Sequence, residues 1–422
     1  MEFPAKLTTD GTQTYVPIPR SLVKHFRPRE WDKVHVEILD QLEENISFEA
    51  ICGKGKNYYL DLKIAIPKHS HNGYRIAIMD LPNDLLRVSY RTITRSPKSI
   101  NIPRYLLLDN ENFEVMGLAQ GELFKCVRKG LLSFSNSDPA LINRFLDFCE
   151  KAFRLKRVDW KASLIISRFS SSEELDKELR KFWSKNVGIP LNNFVKTHFH
   201  PYGQRASFGT LHIYVSNILL AWLMVKLLSI CAKLAPLKTE WTAAFMRGVF
   251  AADGCPILRP SGTLLSADIA HEPKNDEARL YLLLLSELDI KAKIVPPRSV
   301  RICGIKNFLK LARFGLFRLH ARRQEKFTLG LKAHREVNIL LRLKALVKNK
   351  LTAEQLANLL GVSNVQTRHL LKRWFDASYV TRTRSGPNRD GSWPPYSYQL
   401  TENGLRTLAF LSSCLSYNSA IS

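Results

Sequence analysis

The sequence predicts an α+β fold: a small β-rich segment, two related halves of alternating helices and strands, and a helical segment carrying a β-hairpin. Three observations predict it. The stretches Phe113–Glu122 and Ala244–Gly254 align, each an apolar run with Gly, a small residue four positions on, and then a carboxylate. Strand-type and helix-type runs alternate behind both copies. Near the C-terminus, Thr352 with Gln355 three residues on opens a helix that Gly361 closes. The 422 residues, 45% hydrophobic and 10% aromatic, suffice for several packed cores and exclude a disordered chain. The expected parts are residues 1–45, 46–112, 113–235, 236–330 and 334–418.

Charge narrows the function. Lys and Arg number 63 against 38 Asp and Glu, a net +25, so the partner expected is a polyanion, with nucleic acid the default. Residues 1–112 carry 16 basic and 14 acidic side chains, residues 113–330 carry 34 and 19, and residues 331–422 carry 13 and 5. The excess therefore falls on the middle and C-terminal parts, which are expected to meet phosphate. Seven scattered cysteines without a CxxC pair argue against a disulfide framework or zinc site, and for a reducing interior such as cytoplasm or nucleoid. The most apolar run, Ile218–Val225, is stopped by Lys226 short of the ~20 residues a bilayer crossing needs. No basic n-region precedes an apolar stretch at Met1-Glu2-Phe3-Pro4, so no leader is expected.

In the N-terminal part, short strands are expected over Ala5–Thr8, Gln13–Pro19 and Lys33–Leu39, with a turn at Asp10-Gly11 and two helical turns over Arg20–Phe26. This order resembles the AbrB-like swapped-hairpin barrel, which implies interleaving of two chains and so a homodimer; an unrelated small β-domain has the same texture. Residues 46–108 continue in β texture, over Tyr58–Ile66 and Tyr74–Ile78.

On a helix, positions four apart share a face, so Gly117/Gly121 and Gly248/Ala252 form two flat strips. Two such strips let two helices touch backbone to backbone and bring Glu122 and Asp253 together at the foot of the pair. Paired carboxylates there suit Mg²⁺, and two such ions can clamp an in-line phosphodiester hydrolysis. Behind Asp253 follow strands over Pro256–Pro260 and Thr263–Ala270, a helix over Asp276–Leu288, strands over Lys291–Pro296 and Ser299–Cys303, and a helix from Ile305. The first half has a helix to about Phe153, an extra strand and helix (Trp160–Arg168, Glu173–Trp183), and strands over Asn193–His198 and Gly209–Val215.

"VMGLAQGE" and "MRGVFAADG" resemble the signature helix of the LAGLIDADG homing endonucleases in their single-chain, two-repeat form, over residues 113–330. The resemblance implies a pseudo-twofold pair of αββαββα repeats, with Glu122 and Asp253 as metal-binding catalytic acids. It also implies that Lys238 and Lys326 are basic residues near the cleaved phosphate. Outward side chains of the strands would contact duplex DNA: Arg128, Lys129, Lys196, His198 and Arg205 in the first repeat, and Arg259, Lys291, Lys293, Arg298 and Arg301 in the second. The chain departs from the family pattern at Leu123, where Gly is usual, and at Gln120 and Ala251, where an acid is usual.

Ala353–Leu360, the turn Gly361-Val362-Ser363, and a second helix to about Phe375 make a helix-turn-helix pattern. The second helix offers Asn364, Gln366, Thr367, Arg368 and Lys372 to base edges and phosphates. A hairpin over Tyr379–Arg384 and Tyr396–Leu400, carrying Arg382, Arg384 and Arg389, and a last helix over Thr401–Phe410 complete a resemblance to winged-helix domains. Two functions are compatible with these parts. One is a Mg²⁺-dependent site-specific endonuclease; the other is a DNA-binding regulator of transcription, replication or the chromosome that keeps the scaffold without cleavage.

Overall fold

A computed structural model describes residues 8–9, 14–15, 51–54, 57–66, 76–90, 98–125, 130–167, 173–200, 208–272, 276–334, 337, 343–347, 349–384, 386–388 and 390–416. The chain forms two compact units. One comprises Met1–Gly254, Ile269–Val300 and Arg318–His320, and the other Cys255–Asp268, Arg301–Phe317 and Ala321–Ser422.

In the first unit, Thr8–Thr9 pairs antiparallel with Thr14–Tyr15, as the Asp10-Gly11 turn predicts. The rest of residues 1–45, where an AbrB-like barrel is expected, lies outside the described residues. Ile51–Lys54, Asn57–Asp61 and Tyr105–Leu107 form one three-stranded sheet, and Ile76–Leu81, Leu85–Tyr90 and Lys98–Pro103 form another. The expected strand over Tyr58–Ile66 is cut short. Asp61 accepts the backbone N–H of Lys63 at 3.0 Å and starts a helical turn, Leu62–Ala65. Arg104 holds the same carboxylate through Nε and Nη2, the latter at 2.7 Å, so the cap is fixed from two sides.

The two signature helices are Asn110–Glu122 and Thr239–Asp253. Asp109 caps the first by accepting the N–H of Asn112 at 2.8 Å. They meet at the small residues. A Cβ on Gly117 would lie 1.8 Å from the carbonyl oxygen of Phe245, and one on Gly248 would lie 2.0 Å from that of Glu114. Only hydrogen fits at either place. Phe113 to Gln120 and Trp241 to Ala252 are buried throughout, which explains why neither helix has a one-sided apolar stripe.

The first half then builds a four-stranded sheet in the order Phe194–His200, Lys161–Ser167, Thr210–Val215, Leu132–Asn136. The first two strands are parallel, with Ile165 beside His198, and the other pairs are antiparallel. Ala162, Leu164, Ile166, Leu211, Ile213, Leu132 and Phe134 make its buried face. Phe134 stacks on Phe145 of helix Pro139–Phe153 at 4.3 Å. Among the described residues one stretch, Ile218–Leu237, is long and apolar enough to cross a membrane, and two-thirds of it is buried inside the fold. Behind the second signature helix the chain runs through strands Gly254–Leu258 and Leu264–Ala270, helix Glu277–Glu287, strands Ala292–Val295 and Ser299–Ile302, and helix Ile305–Arg313, in the predicted order.

In the second unit, Leu351–Thr352, Ser397–Leu400 and Val380–Thr383 form an antiparallel sheet beside helices Ala353–Leu360, Asn364–Asp376 and Glu402–Ser416. The capping box is present: Thr352 N–H donates to Gln355 at 2.9 Å, and Gln355 N–H donates to Thr352 Oγ1 at 3.2 Å. Gly361, at φ 63°, stops the first helix. Leu356, Leu371 and Trp374 close this small core.

Candidate nucleic-acid interface

Four places carry the predicted site residues. The first is the foot of the helix pair. Asp253 Oδ2 would lie 2.1 Å from a Cβ on Gly121, so its carboxylate packs on the residue directly before Glu122. Both acids are half-buried. Glu122 Oε1 accepts the side-chain amide of Asn136 at 2.7 Å, a partner from the strand Leu132–Asn136 that the sequence reading did not place. Gln120, standing where an acid is usual, donates to Glu277 at 3.0 Å, and Lys125 pairs with the same carboxylate. Tyr281 is fully buried close by. Burial first, and then the charges of Glu277 and Asp253, push its hydroxyl pKa well up and keep it protonated.

Lys238 does not belong to this site. It precedes the helix that Asp253 ends, about 22 Å away at ~1.5 Å per residue. Its ammonium sits over the rings of Tyr58 and Trp241, at 3.4 and 4.4 Å from their centroids. Lys326 is exposed on helix Ala321–Lys332 of the second unit.

The second place is the open face of the first sheet. Strand alternation and register put Lys196 and His198 on it, both exposed, beside Lys161, Ile165, Thr210, His212, Tyr214 and Ser135, while Ser133 and Ser163 on the same side are buried. Its exposed part is basic, with Lys161, Lys196 and His198 open to solvent around the half-buried Ile165. His212 stacks on Tyr214 at 5.5 Å, and burial, then His198, lowers its pKa. Arg128, Lys129 and Arg205 lie outside the described residues.

In the third place, the second half, Lys291, Lys293 and Arg298 are exposed, and Lys293 lies on strand Ala292–Val295. Arg259 is exposed in the turn before Leu264–Ala270, where its backbone bonds Thr263 and Gly262. Arg301 is engaged: its guanidinium grips Asp268 through Nε and Nη2, the latter at 2.7 Å. That pairing holds the guanidinium pKa up.

The fourth place is the helix-turn-helix. Gln366, Arg368 and Lys372 are exposed on the second helix and Asn364 is half-buried. Thr367 is a correction. It is fully buried and its hydroxyl donates to the carbonyl of Ser363 at 3.1 Å, so it fastens the helix start and presents nothing outward. Arg382 and Arg384 do more than carry charge. Arg382 lies over Phe375 and Tyr396 at 4.5 and 4.6 Å, and Arg384 over Tyr396 and Trp393 at 4.8 and 5.2 Å. Arg384 Nε also donates to the carbonyl of Pro394 at 2.7 Å. Both guanidiniums therefore rest against aromatic rings, and Arg368 and Lys372 line the same groove of about 490 Å³ together with the acids Glu354 and Asp376. The aromatic partners escaped the sequence reading, although Trp393 and Tyr396 flank the hairpin's proline pair. Arg389 lies outside the described residues.

No protein-family model and no curated protein matches this chain. Solved structures similar to it include the following two. The crystal structure of full-length DUF199/WhiA from Thermatoga maritima is 12% identical, with 64% of this chain and 92% of that chain covered and a TM-score of 0.29. The crystal structure of the N-terminal LAGLIDADG domain of DUF199/WhiA is 12% identical, with 55% and 87% covered and a TM-score of 0.28.

Proposed function

We propose that the chain is a sequence-specific double-stranded DNA-binding protein, a regulator that uses a LAGLIDADG-like helix pair as scaffold and a winged helix as reader. The observation that carries this is the groove of the second unit, where Arg368, Lys372, Arg382 and Arg384 outnumber Glu354 and Asp376 and two of the four lie over aromatic rings. Oriented guanidinium forks recognise phosphate and guanine edges, and an exposed helix beside them can enter a major groove. Lys161, Lys196 and His198, exposed on the open face of the first sheet, supply a second basic surface.

Cleavage is the second reading, favoured by the packing of Asp253 against Gly121. Glu122 and Asp253 would hold Mg²⁺, which would supply Lewis-acid activation of a phosphodiester. Among the described residues no group of three or more His, Cys, Asp or Glu gathers to hold a metal. Two carboxylates still fit an ion that completes its shell with water and phosphate. Against cleavage stand the tie between Glu122 and Asn136 and the distance of Lys238 from the acids. The test is incubation with a randomised duplex library and Mg²⁺, reading bound and cut molecules separately. The regulator reading expects enrichment of a bound sequence that stays intact. Mg²⁺-dependent cutting of that sequence would replace it with the nuclease.

A further inference from the structure

Away from the two acids, the signature helices carry a second charged cluster. Glu114, on the first helix, is buried with its side chain 5% exposed. Three guanidiniums converge on it: Arg247 Nε at 2.6 Å, Arg144 Nη1 at 3.2 Å, and Arg318 Nη2. Arg247 comes from the second signature helix and is itself buried, at 8%. Arg144 belongs to helix Pro139–Phe153 and Arg318 to the segment that rejoins the first unit, and each side chain is 40% exposed.

One arginine would neutralise this carboxylate, and Arg247, the buried one, is placed to do it. Two further arginines leave three positive charges against one negative. They also bring far more N–H donors than the roughly four acceptor positions of a carboxylate can take. Like charges held this close repel each other. Burial, then Arg318 and Arg144, press the Arg247 pKa down against the pull of Glu114. A cluster that only sealed the helix pair would not carry this surplus. Glu114 also stands about 12 Å along the helix from Glu122, at ~1.5 Å per residue, so the cluster is distinct from the acid site.

We infer that Arg144, Arg318 and Arg247 form an anion site for a free phosphate dianion, inorganic or as a phosphomonoester, with Glu114 positioning the guanidiniums. The charge surplus matches a dianion, and the exposed planar forks of Arg144 and Arg318 suit bidentate pairing with phosphate oxygens. Glu114 ties together residues from both signature helices, so an anion bound here would tighten the helix pair from outside the acid site.

The test uses the full chain and inorganic phosphate as probe, at ionic strength held constant with KCl. The expected result is a saturable rise of the unfolding midpoint, with saturable ³¹P line broadening at the same concentrations. Arg144→Gln and Arg318→Gln should each raise the half-saturating concentration at least ten-fold. Lys151→Gln, which removes an exposed lysine paired with Glu111 on the same unit, should leave it unchanged. Arg318→Lys, keeping charge but not the fork, should fall between and decides the matter where a glutamine variant fails to fold. A response that does not saturate, or that survives both glutamine variants, overturns the site. Parallel loss of duplex affinity and phosphate binding in these variants also overturns it, because the arginines would then be backbone contacts of the DNA.

Discussion

Glu122 and Asp253 are where a single atom decides between the two functions. Replacing either carboxylate with its amide keeps shape and removes the charge that would hold Mg²⁺. For the regulator, Glu122→Gln and Asp253→Asn leave the parent's lack of cutting unchanged and leave duplex affinity equal or slightly higher, since repulsion from phosphate falls; gel-shift and cleavage assays on the best-bound sequence read both. These two acids were legible because each directly follows a glycine-stepped apolar run. Asn136 was not, because a strand fourteen residues away supplies it through space. Thr367 was misplaced although its spacing to Leu371 and Trp374 follows the buried stripe of a helix. His212 gives a pH test. Its native pKa lies below the ordinary 6.5, so the unfolded chain binds the proton first as pH falls. Stability held in full above that value is therefore lost on acidification. Urea midpoints taken between pH 7 and 5 should fall more steeply for the parent than for His212→Gln, and identical slopes would mean His212 is not the group responsible.

At the scale of elements, the helix pair depends on two glycines whose missing side chains let backbones touch. Gly117→Ala and Gly248→Ala put a methyl about 2 Å from a carbonyl oxygen, with no flexible atom able to yield. Each should cost about 3 kcal/mol, the upper part of the overpacking range, in denaturant unfolding. Loss below about 1 kcal/mol would mean the helices can separate cheaply, against the contact described. The cap at Thr352 is a milder case: Thr352→Ala removes one side of a capping box and should cost about 1 kcal/mol. Helix starts, the glycine stop and the second half's element order were all readable, because caps and periodicity are local. The first sheet's strand order was not. The extra strand and helix there, Lys161–Ser167 and Glu173–Val187, are the start of a crossover that lets Phe194–His200 lie parallel to Lys161–Ser167. Parallel pairing needs such a connection, and no local spacing announces it.

Across the whole molecule, the surplus of positive charge is the feature that composition made plainest and that the fold distributes least evenly. The 92 C-terminal residues from 331 on carry 13 basic against 5 acidic side chains, and the described ones place four of them on one groove. Each phosphate neutralised on duplex DNA releases bound counterions, so log affinity falls with log salt by roughly 0.9 per contact. If both the first sheet and the helix-turn-helix lie on DNA, deleting residues 334–422 should reduce the slope by about 3, one for each of Lys372, Arg382 and Arg384. The residual slope should then belong to the sheet face. Substituting Lys161 and Lys196 by Gln in the shortened chain should lower it again by about 1 each, at the same sequence preference, because lysines reaching phosphates carry no base information. Arg368→Ala in the full chain behaves differently if its helix reads bases: preference at one or two base pairs relaxes by ~1–3 kcal/mol while the rest of the site keeps its ranking. Salt titrations on the best-bound and a scrambled duplex distinguish these outcomes. A slope unchanged by the deletion would remove residues 334–422 from the complex and leave DNA contact to the rest of the chain.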